Sequence, residues 1–244
     1  MSKKNEENKQ GDNYLSVVYS YERRPITNYP NQLVQHLCDN YLKKVGKLLD
    51  VGCGRGDMLK AFQKNNFLVY GLDLSQEAIK MCAPINVQNV NLEEENFEYS
   101  EKNFDVIFSK SLIEHLTKPI NFMKSCKKLL SEDGILVIMT PSWKHHSWGP
   151  FYLDHTHRTP FTLQSLRDLA NLSGFKSVEV DYFYQLPIIW KFGFLKVLSR
   201  LVVTLKIPYQ PMYEKLTWIK WPESINKFLR HSNEVMLIAV CKKK

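Results

Sequence analysis

Residues 48–56 read Leu-Leu-Asp-Val-Gly-Cys-Gly-Arg-Gly, an apolar run followed by three glycines spaced two apart. The apolar run predicts a buried strand, and glycine lets the chain leave that strand through a sharp turn. Such a turn brings bare backbone N–H groups to a ligand at the start of the next helix. The stretch therefore predicts a cofactor site in a strand–turn–helix unit.

The spacing of these glycines departs from the dinucleotide-binding fingerprint, which has a third glycine three residues after the second. Asp57 occupies that position. A second strand is predicted over residues 67–72, and Asp73 follows it at about the distance expected of the ribose-binding acid in βαβ units. We interpret the Asp73 carboxylate as the acceptor for ribose hydroxyls of the cofactor.

Four motifs in one order identify a family. They are LLDVGCGRGD at 48–57, GLDLS at 71–75, FDVIFSKSLIEHL at 104–116 and LLSEDGILVIMTP at 129–141. Together they resemble class I S-adenosylmethionine (SAM) methyltransferases over roughly residues 30–185. The resemblance implies SAM as cofactor and an α/β, Rossmann-like fold. The sheet would have seven mostly parallel strands with an antiparallel last strand, helices on both faces, and a helical insertion before the last strand.

The resemblance also implies which residues hold the cofactor. The glycines would cradle the methionyl part, Asp50 would anchor its amino end, and Asp73 the ribose. Asn91 stands where the family usually has the acidic residue that reads the adenine amino group, and its carbonyl can still accept that hydrogen bond. The full predicted set is Asp50, Gly52, Cys53, Gly54, Gly56, Asp73, Leu74, Asn91, Leu92 and Ser109.

A long connection over residues 141–161 is rich in histidine. Transfer of a methyl group to a hydroxyl oxygen usually needs a base, and histidine is the side chain that titrates nearest neutral pH. The segment DHTHRTPFT at 154–162 resembles one found in methyltransferases of polysaccharide and natural-product pathways. We therefore predict His157 and His155 as catalytic residues. The alternative is that Asp154, His155 and His157 form a hydrogen-bond network that only holds the loop.

A metal site is not expected. Glu114, His115 and a loop histidine resemble the metal ligands of small-RNA 2′-O-methyltransferases. That family also has a glutamate three residues before the first, and Ser111 takes its place here. A Mg²⁺ site, which prefers oxygen ligands, would then lack a carboxylate.

Length and composition indicate a single domain spanning residues 1–244, and the resemblance implies that it is a methyltransferase domain. Its predicted parts are a tail and lead-in at 1–29, a cofactor-binding core at 30–185, a basic helical insertion at 186–230, and a last strand and tail at 231–244. The polar opening segment lacks the apolar region of a signal peptide. The five cysteines are odd in number and form no C-x-x-C pair, which argues against a disulfide framework. We expect a cytoplasmic protein.

The net charge of +8 lies in the last quarter of the chain, where residues 186–244 hold 11 Lys and Arg against 3 Asp and Glu. On a helical wheel, residues 188–206 place Lys191, Lys196, Arg200 and Lys206 opposite an apolar half. Two interpretations follow. We favour a lid whose apolar face packs over the acceptor pocket, and the alternative is a peripheral contact with an anionic membrane.

These features favour a SAM-dependent methyltransferase that O-methylates a small-molecule or glycan-type acceptor, including nucleotide- or lipid-linked ones. One alternative is an RNA 2′-O-methyltransferase. A nucleic-acid partner is not expected, because the first 185 residues contain no aromatic and basic binding module. The other alternative is a catalytically silent SAM-binding module, against which the intact glycine turn and Asp73 argue.

Overall fold

In a computed structural model, the described residues are 16, 20–22, 24–42, 45–94, 97, 99–147, 150–211 and 218–244. Most of the predicted lead-in, residues 1–15, 17–19 and 23, lies outside them. The strands are β1 Lys47–Val51, β2 Leu68–Asp73, β3 Asn86–Asn89, β4 Phe104–Lys110, β5 Leu130–Pro141, β6 Ser177–Phe183 and β7 Met236–Lys242. The helices are α1 Tyr29–Asn40, α2 Asp57–Lys64, α3 Gln76–Cys82, α4 Pro119–Leu129, α5 Trp143–His146, α6 Leu163–Leu172, α7 Pro187–Lys191, α8 Phe194–Thr204 and α9 Glu223–Asn233.

The strands form one seven-stranded sheet in the order β3-β2-β1-β4-β5-β7-β6. Pairing is parallel except for β7, which runs antiparallel to both β5 and β6. Strand order reverses between β1 and β4, where an open α/β sheet forms its ligand-binding crevice at the carboxyl ends. The predicted fold class is confirmed, and the topology places the ends of β1, β2 and β4 at one edge.

Helices cover both faces of this sheet, as predicted. One core cluster joins α4 and α6 to the sheet through buried side chains such as Phe122 and Leu166. The other joins α1 and α2 through Leu37 and Phe62. The central strands are buried on both faces because apolar side chains pack against helices on each side, which explains their continuous apolar sequences.

Strand β5 starts at Leu130, before Gly134, and carries an irregular register opposite Phe104–Val106. A Cβ on Gly134 would lie 2.7 Å from the Phe104 carbonyl oxygen, so only glycine permits the strands to approach here. The 141–161 connection contains α5 and a 3₁₀ turn at Pro150–Leu153.

The insertion differs from the predicted lid. The single helix expected over 188–205 is broken at Phe192 and Gly193 into α7 and α8. The apolar half of α8 faces outward, since Phe194 is 69% and Leu205 is 68% exposed, while Ser199 and Val202 are buried. The prediction that this apolar face packs over the pocket is therefore wrong. Among the described residues, no helix has both the length and the apolar character needed to cross a bilayer.

Candidate active site

The glycine turn joins β1 to α2 in the conformation that its sequence predicts. Gly52, Gly54 and Gly56 have φ values of +79°, +52° and +75°. A Cβ on Gly56 would also lie 2.6 Å from the Sγ of Cys82, so a larger residue is excluded by contact as well as by backbone conformation. The turn leaves the backbone free of side chains at the carboxyl end of β1, which fits a bound cofactor.

Asp73 braces this turn. Its Oδ2 accepts a hydrogen bond from the Gly54 N–H at 2.8 Å, and its Oδ1 accepts one from the Ser75 N–H at 2.9 Å. A carboxylate has about four lone-pair positions and can accept from more than two donors. Ser75 in turn caps α3, accepting hydrogen bonds from the Glu77 and Ala78 N–H groups. The predicted cofactor acid is thereby held in a fixed orientation.

Asp50 lies at the end of β1 and is 3% exposed. Burial, together with the negative charge of Asp73, raises its pKa to about 8. Both effects disfavour a carboxylate, and a bound ammonium group would oppose them. The site thus suits a ligand that brings a positive charge next to Asp50, as the amino group of SAM would.

A cavity of about 1390 Å³ opens at this edge of the sheet. Ligand pockets usually measure about 300 to 1000 Å³, so there is room for a cofactor and an acceptor together. Most of the predicted cofactor residues line it: Asp50, Gly52, Cys53, Gly54, Asp73, Leu74 and Asn91. Gly56, Leu92 and Ser109 lie outside the lining. Leu92 packs into the core, and the Ser109 hydroxyl donates to the Val51 carbonyl, so each supports the site from behind.

Part of the cavity lining was not predicted from the sequence. Gln185 at the end of the core lines it, as do Leu186, Pro187 and polar residues of α9 in the insertion, including Lys227 and Arg230. The insertion therefore contributes to the pocket wall through these residues and not through the apolar face of α8. They are distant in sequence from the cofactor motifs, and the one sequence signal for their role was their position after β6.

Glu114 is fully buried behind the loop of residues 154–159. Its carbonyl accepts hydrogen bonds from the Arg158 and Thr159 N–H groups at 2.8 and 2.9 Å. Its Oε2 accepts one from the Thr140 hydroxyl at 2.9 Å. Burial raises the Glu114 pKa to about 7. Glu114 therefore ties the loop to β5 and presents a carboxyl group beneath it.

The two predicted catalytic histidines face different surroundings. His155 is exposed and lines the cavity. His157 lies outside the lining; its Nδ1 donates to the Phe151 carbonyl at 2.7 Å, and its ring meets the edge of His115 with centroids 4.7 Å apart. Burial lowers the pKa of His157. Of these two histidines, only His155 is therefore presented to a ligand in the cavity.

His115, which the prediction left out of the site, lines the cavity. Its Nδ1 lies 2.8 Å from the Thr156 hydroxyl, which donates to the Asp154 carboxylate at 2.5 Å. Burial, with His157 nearby, lowers the His115 pKa to about 4, so the ring is neutral near pH 7. The hint in the sequence was its place in the 104–116 motif, directly after β4.

The other loop histidines have a structural role. His145 Nδ1 lies 2.9 Å from the Ser142 hydroxyl, and His146 Nδ1 donates to the Ser142 carbonyl at 3.0 Å. Burial lowers both pKa values to about 4. These neutral rings hold α5 against the end of β5.

Residues 21–180 match a family described as a methyltransferase domain. The chain belongs to this family. The family confirms the prediction drawn from the four motifs, including SAM as the family's cofactor.

Individual relatives are more distant. The ubiquinone biosynthesis O-methyltransferases of Haemophilus ducreyi and Histophilus somni are each 30% identical, over 46% and 48% of this chain and 54% and 53% of theirs. The chain thus spans about half the length of these curated relatives. A SAM-dependent methyltransferase from Archaeoglobus fulgidus has a similar structure, with 20% identity, a TM-score of 0.59, and coverage of 92% of this chain and 98% of that one.

Proposed function

We propose that this protein transfers the methyl group of SAM to a hydroxyl oxygen of a small-molecule or glycan-type acceptor. One observation carries the proposal: a single cavity is lined both by the glycine turn with Asp50 and Asp73 and by His115 and His155. Oxygen as the receiving atom is supported by the names of the relatives, which are O-methyltransferases.

At the cofactor end, we propose that Asp50 pairs with the amino group of SAM and that Asp73 accepts hydrogen bonds from the ribose. Gly52 and Gly54 leave room for the methionyl part, and Asn91 faces the adenine. SAM, when bound, supplies a methyl group already activated by a sulfonium. The protein then needs mainly to hold the acceptor oxygen in line with that methyl group.

At the acceptor end, we propose that His155 takes the hydroxyl proton as the oxygen forms its bond to the methyl carbon. That bond forms as the carbon–sulfur bond breaks, so the electron pair goes to sulfur and the proton to the imidazole. His157 has no place in the cavity lining, and we propose that it acts through its contact with His115.

We further propose that the outward apolar face of α8 rests on an anionic membrane surface. Four basic residues of the same segment are exposed, Lys191, Lys196, Arg200 and Lys206, and Trp218 and Trp221 are exposed in the same insertion. Apolar side chains that enter the interface, flanked by basic ones that meet lipid head groups, form the usual surface of a peripheral amphipathic helix. Such a contact would bring a lipid-linked acceptor to the cavity.

We also propose a division of the whole chain and a cellular location. The core would begin at residue 30, the insertion at residue 186 and the last strand with its tail at residue 231. A cytoplasmic location is supported by the cysteines, all five of which are free thiols.

The test is transfer of radiolabelled methyl from SAM to a panel of acceptors. The panel holds phenols, prenylated phenols, nucleotide sugars and RNA, and Asp73→Ala serves as the cofactor-site control. We expect label in a phenol or sugar hydroxyl, and none with the variant. Label in RNA alone would establish the 2′-O-methyltransferase alternative. SAM binding without transfer to any member would favour the silent module.

A further inference from the structure

We propose that Glu114, His115 and His157 bind one divalent transition-metal ion beside the acceptor end of the cavity. The proposal concerns metal binding itself and holds whether or not the transfer reaction above is correct. It departs from the expectation of no metal, which rested on the missing carboxylate at Ser111.

The three side chains already lie close together. One ligand atom from each, a carboxylate oxygen or an imidazole nitrogen, lies within 4.8 Å of the other two. Ligand atoms around a transition-metal ion with bonds of about 2.0 to 2.2 Å lie about 3 to 3.5 Å apart. The three ligand atoms must therefore approach one another by an ångström or more when the ion binds.

Glu114 supplies the second observation. The side chain is fully buried, and although Oε2 accepts from Thr140, Oε1 has no hydrogen-bond partner among the described residues. A buried carboxylate oxygen left unpaired costs free energy that proteins normally avoid. A cation bound to Oε1 removes that cost.

The partners behind each imidazole prepare it to bind a metal. A carbonyl can only accept, so His157 Nδ1 carries the proton that Phe151 receives. The Thr156 hydroxyl gives its one proton to Asp154, so it accepts from His115 Nδ1. In both neutral rings the lone pair is then on Nε2. Metal-binding histidines are typically held in this way, with the other nitrogen donating to a carbonyl or to a polar group.

The donor set selects the class of ion. Two imidazole nitrogens and one carboxylate oxygen suit Zn²⁺, Co²⁺, Fe²⁺ or Mn²⁺, whereas Mg²⁺ prefers oxygen ligands alone. Three protein ligands leave positions for water or another oxygen. Of the three proposed ligands, His115 lines the cavity.

Nearby charges have opposing effects on cation binding at this cluster. The Asp154 carboxylate behind Thr156 favours a cation. The ammonium group of Lys110, at the end of β4, acts on Glu114 as a competing positive charge, and Arg158 acts on His115 in the same direction. Removing the charge of Lys110 should therefore tighten metal binding, which a purely structural cluster would not predict.

The experiment is titration of tag-free, chelator-treated protein with Co²⁺, followed by visible absorption and calorimetry. We expect one Co²⁺ per chain with ligand-field bands and without the charge-transfer bands of thiolate ligands. Glu114→Gln and His157→Asn should each weaken binding at least tenfold, and Lys110→Met should tighten it. His155→Asn, two residues from His157 and outside the cluster, is the matched control and should bind as the wild type does.

Folding is checked separately. Each variant's circular dichroism is recorded, and Zn²⁺ should raise the melting temperature of the wild type and the His155→Asn control but not that of Glu114→Gln. Glu114→Gln keeps an oxygen that can accept the hydrogen bond from Thr140, so this variant should retain the native fold. Absence of Co²⁺ binding by folded wild type would overturn the proposal. So would thiolate bands, or equal affinity in the wild type and Glu114→Gln.

Discussion

Asp73 Oδ2 accepts a hydrogen bond from the Gly54 N–H across 2.8 Å, so the acid predicted to bind the cofactor ribose also holds the glycine turn in place. The two residues are at the ends of adjacent parallel strands, β1 and β2. The turn and its acid are therefore a single unit, and the loss of one disturbs the other.

We expect Asp73→Ala to weaken SAM binding by about 1 to 3 kcal/mol, because buried hydroxyls and the Gly54 N–H lose their acceptor. The same change should lower the melting temperature without ligand, since the turn loses its brace. Calorimetry and thermal unfolding measure the two effects. Asp168→Ala, which removes an exposed carboxylate on α6, is the control. Unchanged SAM affinity in Asp73→Ala would remove the cofactor assignment.

The pKa of Asp50 makes a prediction about stability. A folded-state pKa of about 8 lies above the usual value of 3.8, so the native state retains a proton that the unfolded state has released. This contribution is complete below the unfolded pKa and is lost as pH rises to and through about 8. Between pH 6 and pH 9 the wild type without ligand should lose about 2 kcal/mol more stability than Asp50→Asn. Urea unfolding at both pH values measures it, and parallel pH dependences would refute the assignment.

His155→Ala should lower turnover by a factor of about 10² to 10⁴ while SAM affinity and stability stay unchanged, because the side chain is exposed and its proposed role is proton removal. His157→Ala should also lower turnover, but with a lower melting temperature, since it loses the hydrogen bond to the Phe151 carbonyl. Single-turnover kinetics with an accepted substrate separate these outcomes. Full activity of His155→Ala would end its assignment as the base.

Charge reversal at Lys191, Lys196 and Arg200 should reduce binding to vesicles containing phosphatidylglycerol and leave SAM affinity nearly unchanged. The wild type should bind less as salt rises, because exposed charges are screened. Sedimentation with anionic and neutral vesicles measures the difference. Phe194→Ser with Leu205→Ser should weaken binding at every salt concentration, since it removes apolar contact and no charge.

Some results would contradict the membrane proposal. Equal sedimentation with neutral vesicles would show that the basic residues are not used. Binding to RNA and not to vesicles would identify nucleic acid as the partner of this surface. Loss of SAM binding in the charge-reversed variant would make the insertion part of the cofactor site.

The geometry of the glycine turn and of Asp73 was predictable because its signals are local. Gly52, Gly54 and Asp73 take their positions from a strand, a tight turn and the next strand, and each step depends on near neighbours in sequence. Parallel pairing of β1 with β2 then brings the strand ends together with no further information. The sheet with its antiparallel last strand was implied by the resemblance of the four motifs to class I SAM methyltransferases, and the structure confirms it.

The acceptor end depended on packing between distant segments. His115 and His157 meet because the loop after α5 folds back under hydrogen bonds to the Glu114 carbonyl, and no spacing in the sequence encodes that contact. For the same reason Ser109 and Leu92, correctly placed near strand ends, point into the interior.

The amphipathic pattern of α8 was evident from the sequence, but the direction it faces was not. Periodicity determines which side chains share a face of the helix, and the wheel grouped Phe194 with Leu201 and Leu205 correctly. Which face is buried depends on the side chains that the neighbouring elements place against the helix. Ser199 and Val202 pack inward, and the Ser232 hydroxyl of α9 donates a hydrogen bond to Ser199. The sequence by itself determined the fold class, the cofactor turn and the helical faces. The tertiary structure decided which faces meet, because burial is settled by contacts between segments far apart in the chain.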